Sequence, residues 1–470
     1  MAARSQFLTG GIALAAVACA LAGGAARADT LKEAMAMAYA SNPQLLEQRA
    51  YLRSIDQGVA EALSGWRPTV TLNADASSVH RSGYSVNGNG QPSSWRQERG
   101  ASVSVSQPVF QGFGTVNAVD RAENTVLAER EHLRSVEQGV MLDVVTAYVD
   151  VWRDLAVVEL NINNEQVLQR QLDAARDRFA VGEITRTDVA QSEARLSQAH
   201  ASRVAAEGNL QVSRATYQRI VGKSPENVSR VPPTEALPTA LDPLVAEALG
   251  DNPDVRTAAH TVDVRENAVA VVRAELLPDV KAVASVGQFY DQTYSSDEAT
   301  VYSLGAQMSV PLYEAGGTYA RLRAAKDQAA QSRKALERVR RQVVETATSA
   351  WESLTSARAQ IVAYREEVRA SEIALDGVRR ESEVGSRTVL DVLDAEQELL
   401  DARVNLVQAQ RNEALASYQV LVALGRLTAA DMGLDTPLYD PSVHYDQAAG
   451  KWIGSGVFSD DGREAMRPAK

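Results

Sequence analysis

The chain has 470 residues, 45% of them apolar but only 5% aromatic, and a formal net charge of −12 at neutral pH. A composition so poor in aromatic rings suits closely packed long helices better than one large globular core. The acidic balance argues against nucleic acid as a partner, and a single cysteine, Cys19, excludes a disulfide framework.

Residues 1–28 read as an export signal: Arg4, an apolar stretch over residues 7–21, and a small-x-small cleavage site at Ala26-Arg27-Ala28 that leaves Asp29 as the first mature residue. Cys19 lies in that stretch, but Ala16-Val17-Ala18 ahead of it lacks the leucine of a lipidation site. Loss of Arg4 and Arg27 takes the net charge to −14. No later window of about 18 apolar, uncharged residues occurs, so a membrane role must rest on strands.

The same punctuation then recurs. Asn42-Pro43 returns as Asn252-Pro253 and Pro68 as Pro278, 210 residues on. Pro108 returns as Pro311, Gly114-Thr115 as Gly317-Thr318, Val181-Gly182 as Val384-Gly385, Asp188 as Asp391 and Gly222 as Gly425, all 203 residues on. One supersecondary plan is used twice, over residues 29–222 and 241–425. A Pro-rich linker, 223–240, joins the repeats, and a tail over 426–470 comes after them without clear periodicity.

Each repeat opens with a short amphipathic helix: Leu31, Ala34, Met35, Ala38 and Tyr39 match Leu241, Leu244, Val245, Ala248 and Leu249 at helical spacing. Asn42 and Asn252 are N-caps with proline at the first helical position, where a missing N–H costs nothing. The helices they start run to just before Pro68 and Pro278. Beyond these prolines the period changes to two. Val70, Leu72, Ala74 and Ala76 alternate with polar residues, as do Ala101, Val103 and Val105, and Tyr302, Leu304, Ala306 and Met308; Val280, Ala282, Ala284 and Val286 do so imperfectly. Two hairpins of roughly 10-residue strands are predicted, over about 68–109 and 278–311, with solvated loops at 80–98 and 288–300. One apolar and one hydroxyl-rich side suit a membrane barrel; a soluble sandwich is the alternative.

No proline falls between Pro108 and Pro225 or between Pro311 and Pro437. Val140, Val144, Ala147, Val151, Leu155, Val158 and Ile162 step by threes and fours, as do Val343, Ala347, Ala350, Leu354, Ala357 and Ile361, which is a coiled-coil seam. Helices over 115–181 and 318–384 would span ~100 Å at 1.5 Å per residue. Gly182 and Gly385 end them, and Thr185-x-x-Asp188 and Thr388-x-x-Asp391 start return helices, giving helix hairpins over 115–222 and 318–425. Four strands cannot close a barrel, and lipid does not tolerate unpaired edges, so a barrel needs a homo-oligomer, dimeric or trimeric.

The segment Val384-Gly385-Ser386-Arg387-Thr388-Val389-Leu390-Asp391-Val392-Leu393-Asp394-Ala395, with the duplication, the Asn-Pro helix starts and the Pro-flanked strand pairs, resembles the TolC family of outer-membrane secretion and efflux tunnels. The resemblance covers about residues 30–426. It implies an α+β membrane protein, a homotrimer with a twelve-stranded barrel in the outer membrane of a Gram-negative bacterium and a coiled-coil tunnel in the periplasm. It further implies an equatorial belt built from residues 223–240 and those past Gly425, and a tip that opens against an inner-membrane machine. The partners it implies are outer-membrane lipid, a periplasmic adaptor (membrane fusion) protein, and an inner-membrane ABC or proton-driven transporter. The tail from about Leu438 either packs on the belt through Tyr439, Tyr445, Trp452 and Phe458 or is disordered.

Asp391 and Asp394 share a helix face near a helix start, where acids favour the macrodipole. The resemblance implies a second role: three copies of each converge on the narrowest ring of the closed tunnel, a periplasmic gate that favours cations and binds multivalent ones. It likewise implies that Arg387 is an inter-subunit latch, pairing with Asp188 and neighbouring Thr187. Ser382 replaces the family's tyrosine, so part of the latch is missing. Val181, Gly182, Val384 and Gly385 are turn residues first and adaptor contacts second.

His80, His132, His200, His260 and His444 form no metal spacing, and no nucleophile or phosphate-loop motif occurs, so no enzyme, metal site or cofactor is expected. The predicted function is the exit duct of a tripartite type I protein secretion system. The alternatives are the outer-membrane component of a multidrug or small-molecule efflux pump and a periplasmic coiled-coil spacer, the last of which leaves the amphipathic strands unexplained.

Overall fold

A computed structural model describes residues 30–83, 91–234, 237–291 and 297–457. The export signal, Cys19 and Phe458 lie outside the described residues.

Helix α1 (Leu31–Ser41) starts at a capping box in which Thr30 and Glu33 satisfy each other's backbone N–H groups. Asn42 then has two duties. Its Oδ1 accepts from Gln44 N to start α2 (Pro43–Ser64), while its Nδ2 donates to Ile220 O at 3.1 Å. Asn252 repeats this between α5 (Leu241–Asp251) and α6 (Pro253–Ala274), donating to Ala423 O at 3.1 Å. The Asn-Pro motif therefore starts one helix and fastens the far end of another.

The strands form one antiparallel sheet in the order β1 (Thr69–Gly83), β2 (Gln91–Gln111), β3 (Asp279–Tyr290), β4 (Glu298–Ser309). Each of these is longer than the ten residues expected, β2 reaching 21. The predicted loop at 80–98 is largely strand, since the ladder continues through Ser77↔Glu98, Ser78↔Gln97 and His80↔Trp95, with the last two rings 5.0 Å apart. Polar composition does not end a strand whose backbone partners are in place. The second predicted loop is likewise trimmed by Tyr290↔Glu298. Val70, Leu72, Leu304 and Met308 lie exposed on one face. On the other, hydroxyls pair across strands, Thr71 with Ser104 at 3.0 Å and Ser285 with Ser303 at 2.7 Å. β2 pairs with β3 and so joins the two repeats, leaving β1 and β4 as free edges among the described residues.

Below the sheet run α3 (Gly114–Ala180) and α7 (Gly317–Glu383), 67 residues each, with return helices α4 (Arg186–Val221) and α8 (Val389–Ala423) packed against them. At 1.5 Å per residue each long helix spans ~100 Å. The main core sits midway along α3, where Val140, Val144, Tyr148 and Val151 meet α1, Tyr217 of α4, and Val231, Leu427 and Leu434 from the segments after each repeat. Arg411 of α8 reaches Asp150 of α3 at 2.8 Å, tying the repeats together at this level.

The tail packs, as one of its two readings has it, with Tyr439 against the main core, but it reaches further than the belt. Residues Pro441–Gly450 form α9, capped by Asp440, and it packs on α2 rather than on the belt alone. His444 Nδ1 and Asp56 Oδ2 pair at 2.7 Å with both side chains buried. Burial is the largest influence on Asp56 and raises its pKa, against the lowering effect of His444, Arg130 and Arg53. Tyr445 lies under Arg130, 5.2 Å from ring centroid to guanidinium.

The tip turns and the return-helix starts

Both long helices end in the same local chemistry. Gly182 and Gly385 take φ of +81° and +78°, the left-handed conformation that ends a helix. Glu183 N returns to Arg178 O and Ser386 N to Glu381 O, each at 2.9 Å, satisfying carbonyls the helix leaves open. Val181 and Val384 precede these glycines and are 78% and 79% exposed, apolar side chains set at the far ends of the two hairpins.

The next residues restart the chain in the opposite direction. Thr185 and Thr388 accept from Asp188 N and Asp391 N, while the two carboxylates take the threonine N–H and hydroxyl in return. The backbone N–H of Thr388, followed by its hydroxyl, holds the Asp391 carboxyl below the usual aspartate range. Asp391 is thus a capping residue in this chain, whatever further role it has, and Asp188 does the same work in the first repeat.

Asp394, one turn on, is exposed and paired. Arg195 Nη2 of α4 lies 2.5 Å from its Oδ1, a contact between the two return helices that the sequence did not disclose. Just above it, Leu168, Ala199 and Leu393 form a small apolar cluster that fixes α3, α4 and α8 together. Arg379 and the buried Glu396 make a second ion pair in the same region, between α7 and α8.

Arg387, the predicted latch, bonds within its own chain to Glu381 at 3.0 Å, which raises its pKa. Arg178 and Glu183 make the matching pair at the first tip, at 2.6 Å. Thr187 is exposed in the first turn of α4, and Ser382 is buried beside the turn, its carbonyl accepting from Gly385 N at 3.1 Å. The structure therefore gathers Asp391, Asp394, Arg387, Val384 and Gly385 at one tip and Val181, Gly182, Thr187 and Asp188 at the other. Arg195 and Glu381 are the residues that sequence reasoning missed. Glu381 carried a faint signal in its spacing from Arg387; Arg195 carried none.

Compared with known proteins, residues 34–223 and 244–426 match the family model described as outer membrane efflux protein. The outer membrane efflux protein BepC of Brucella suis is 35% identical over 94% of this chain and 95% of its own. Outer membrane protein TolC of Escherichia coli is 26% identical over 86% of this chain and 84% of its own. The alkaline protease secretion protein AprF of Pseudomonas aeruginosa is 27% identical over 71% of each. The crystal structure of the outer membrane protein VceC from Vibrio cholerae superimposes with a TM-score of 0.75 at 20% identity, covering 84% of this chain and 96% of that one. The sheet of exposed apolar and hydroxyl faces is accordingly a piece of outer-membrane barrel, and the chain belongs to the outer membrane efflux protein family, a TolC-like channel component of the bacterial outer membrane.

Proposed function

We propose that three chains close edge to edge, β4 of one against β1 of the next, into a twelve-stranded barrel, and that the assembly is the exit duct of a tripartite type I protein secretion system. The observation that carries this reading is the four-stranded sheet, with two free edges among the described residues, above helix hairpins ~100 Å long. An even number of antiparallel strands lets β4 meet β1 with the correct polarity, and free edges are not tolerated in lipid. In this arrangement residues 29–222 and 241–425 each supply one sector of wall, and residues 223–240 with the start of the 426–470 tail thicken it at the belt. The tip turns at Val181, Gly182, Val384 and Gly385 offer exposed apolar contacts to a periplasmic adaptor, itself bound to an inner-membrane ABC or proton-driven transporter. Asp391 and Asp394 ring the closed tip, and Arg387 latches neighbouring subunits through Asp188 and Thr187. The duct moves cargo without catalysis of its own.

The likeness to AprF favours protein cargo. The greater likeness to BepC favours the second reading, small-molecule efflux through the same duct. Light scattering on the detergent-solubilised mature protein checks the assembly: a trimer is expected, and a stable monomer removes the barrel. Comparing the secreted proteins and the drug sensitivity of a deletion strain separates the two cargoes. Loss of a secreted protein at unchanged drug sensitivity supports secretion; the reverse supports efflux.

A further inference from the structure

The tail climbs α2 toward the sheet in a fixed order. Tyr439 N donates to Tyr39 Oη at 3.0 Å, and the Tyr439 ring lies 5.1 Å from the Arg49 guanidinium. Higher up, His444 meets Asp56 in the buried pair. At the top, Arg67 donates to Ala449 O and Lys451 O at 3.4 and 3.2 Å, and its guanidinium lies 4.5 Å from the Trp452 ring. Arg67 stands two residues before β1, so the end of α9 is held at the level where helix gives way to strand.

Past α9 the chain makes a closed loop with its apolar side chains outward. Lys451 Nζ donates to Gly456 O at 2.8 Å, and Gly454 takes a φ of +108°, so the backbone folds back on itself. Trp452 and Val457 are 67% exposed and Ile453 90% exposed. A solvated turn has no use for three large apolar groups in six residues. Other apolar groups are exposed at the same level: Trp66, Phe113 and Tyr313 all lie within four residues of a strand end, with Phe110 edge-on to Phe113 at 5.3 Å. Immediately above begins the lipid-facing row of Val70 and Leu72.

We propose that residues 452–457 are an interfacial foot, seated in the periplasmic leaflet of the outer membrane, with Trp452, Ile453 and Val457 among the upper acyl carbons and Arg67 and Lys451 at the phosphates. Tryptophan favours the membrane interface because its ring is amphipathic, and long cationic side chains bury their stems while the charge stays wet. The foot continues an apolar surface already in lipid, which is why phospholipid rather than a protein is its partner. Because the tail is bonded in turn to Tyr39 of α1, to Asp56 of α2 and to Arg67 just before β1, the foot ties the periplasmic helices directly to the bilayer rather than only through the strands.

This inference rests on the barrel reading, and its test separates the two. Spin labels are placed in the mature protein, which otherwise lacks cysteine, at Ile453→Cys, at Leu304→Cys on the outward face of β4, and at Val443→Cys on the exposed side of α9. Each variant is reconstituted in vesicles of phosphatidylethanolamine and phosphatidylglycerol, and collision with oxygen is compared with collision with a water-soluble nickel chelate. The expected oxygen-to-nickel ratio is severalfold higher at 453 than at 443, approaching that at 304. A lipid signature at 304 with a ratio at 453 no higher than at 443 overturns the foot and leaves the barrel standing. An immobilised label at 453 shielded from both reagents assigns the loop to a neighbouring subunit and also overturns it. A water-like ratio at 304 removes the barrel itself.

Discussion

Arg195 and Asp394 join the return helices of the two repeats at 2.5 Å, so one of the two carboxylates proposed for the gate already carries a counter-charge from its own chain. In a closed tip the six aspartates would then not be equivalent: three copies of Asp391 are held by their own helix start, and each of three copies of Asp394 faces an Arg195 guanidinium.

Cation block at the tip should report this inequality. In planar bilayers, Asp391→Ala with Asp394→Ala should abolish block by trivalent cations added from the tip side. Arg195→Ala should strengthen that block severalfold, because an exposed pair is worth about 0.2–1 kcal/mol and three symmetric copies act on one ring. If Arg195→Ala leaves the block unchanged, Asp394 faces away from the lumen.

Arg387→Ala, which removes the proposed latch, should raise single-channel conductance. Arg387 has Glu381 within its own chain and Asp188 as the proposed partner across subunits. Asp188→Asn should therefore reproduce the gain, while Glu381→Gln should not. The opposite pattern would make the guanidinium a brace of its own turn.

Acid should loosen the start of α8. The Asp391 carboxyl is held below the usual aspartate range by Thr388, so its contribution is fully present above the unfolded value and is lost as pH falls through the lowered folded one. Thr388→Ala should cost about 1 kcal/mol of helix stability at neutral pH and remove this acid dependence. Hydrogen exchange in the first turn of α8, corrected for intrinsic rate, reads both; protection that is independent of pH in the wild type would contradict the capping account.

Two glycines with the same backbone should differ sharply when replaced by alanine. Gly182 has φ of +81° with nothing within 4 Å of an added Cβ, so Gly182→Ala carries only the left-handed penalty of roughly 1–2 kcal/mol. At Gly425, φ +77°, the Cβ would stand 2.6 Å from the Asp251 carbonyl oxygen, a fixed helix end. Gly425→Ala should lower the unfolding midpoint considerably more than Gly182→Ala, and equal shifts would mean that the belt yields easily.

Much of the fold was readable because its joints are local. Asn42-Pro43, Gly182 and Thr185-x-x-Asp188 each fix their own backbone, and each is written twice. The ends of the strands were not readable, because the pairs Ser77↔Glu98 and Ser78↔Gln97 are polar on both faces and remain extended through cross-strand pairing. α9 had a start signal in Asp440-Pro441, but its ten residues are too few to show a period. The capping role of Asp391 was legible from four residues of sequence. The link from Arg195 was not, since it joins positions 199 apart whose approach depends on how the two helix hairpins pack.

The sheet order gives every seam of the proposed ring one strand from each repeat. Within a chain β2 of the first repeat meets β3 of the second, and between chains β4 of the second meets β1 of the first. The wall is then a ring of six alternating half-units, in which the covalent connection through residues 223–240 distinguishes one kind of seam from the other. A circular permutant opened in that connection, with the old termini joined, would present the same strands to the same neighbours.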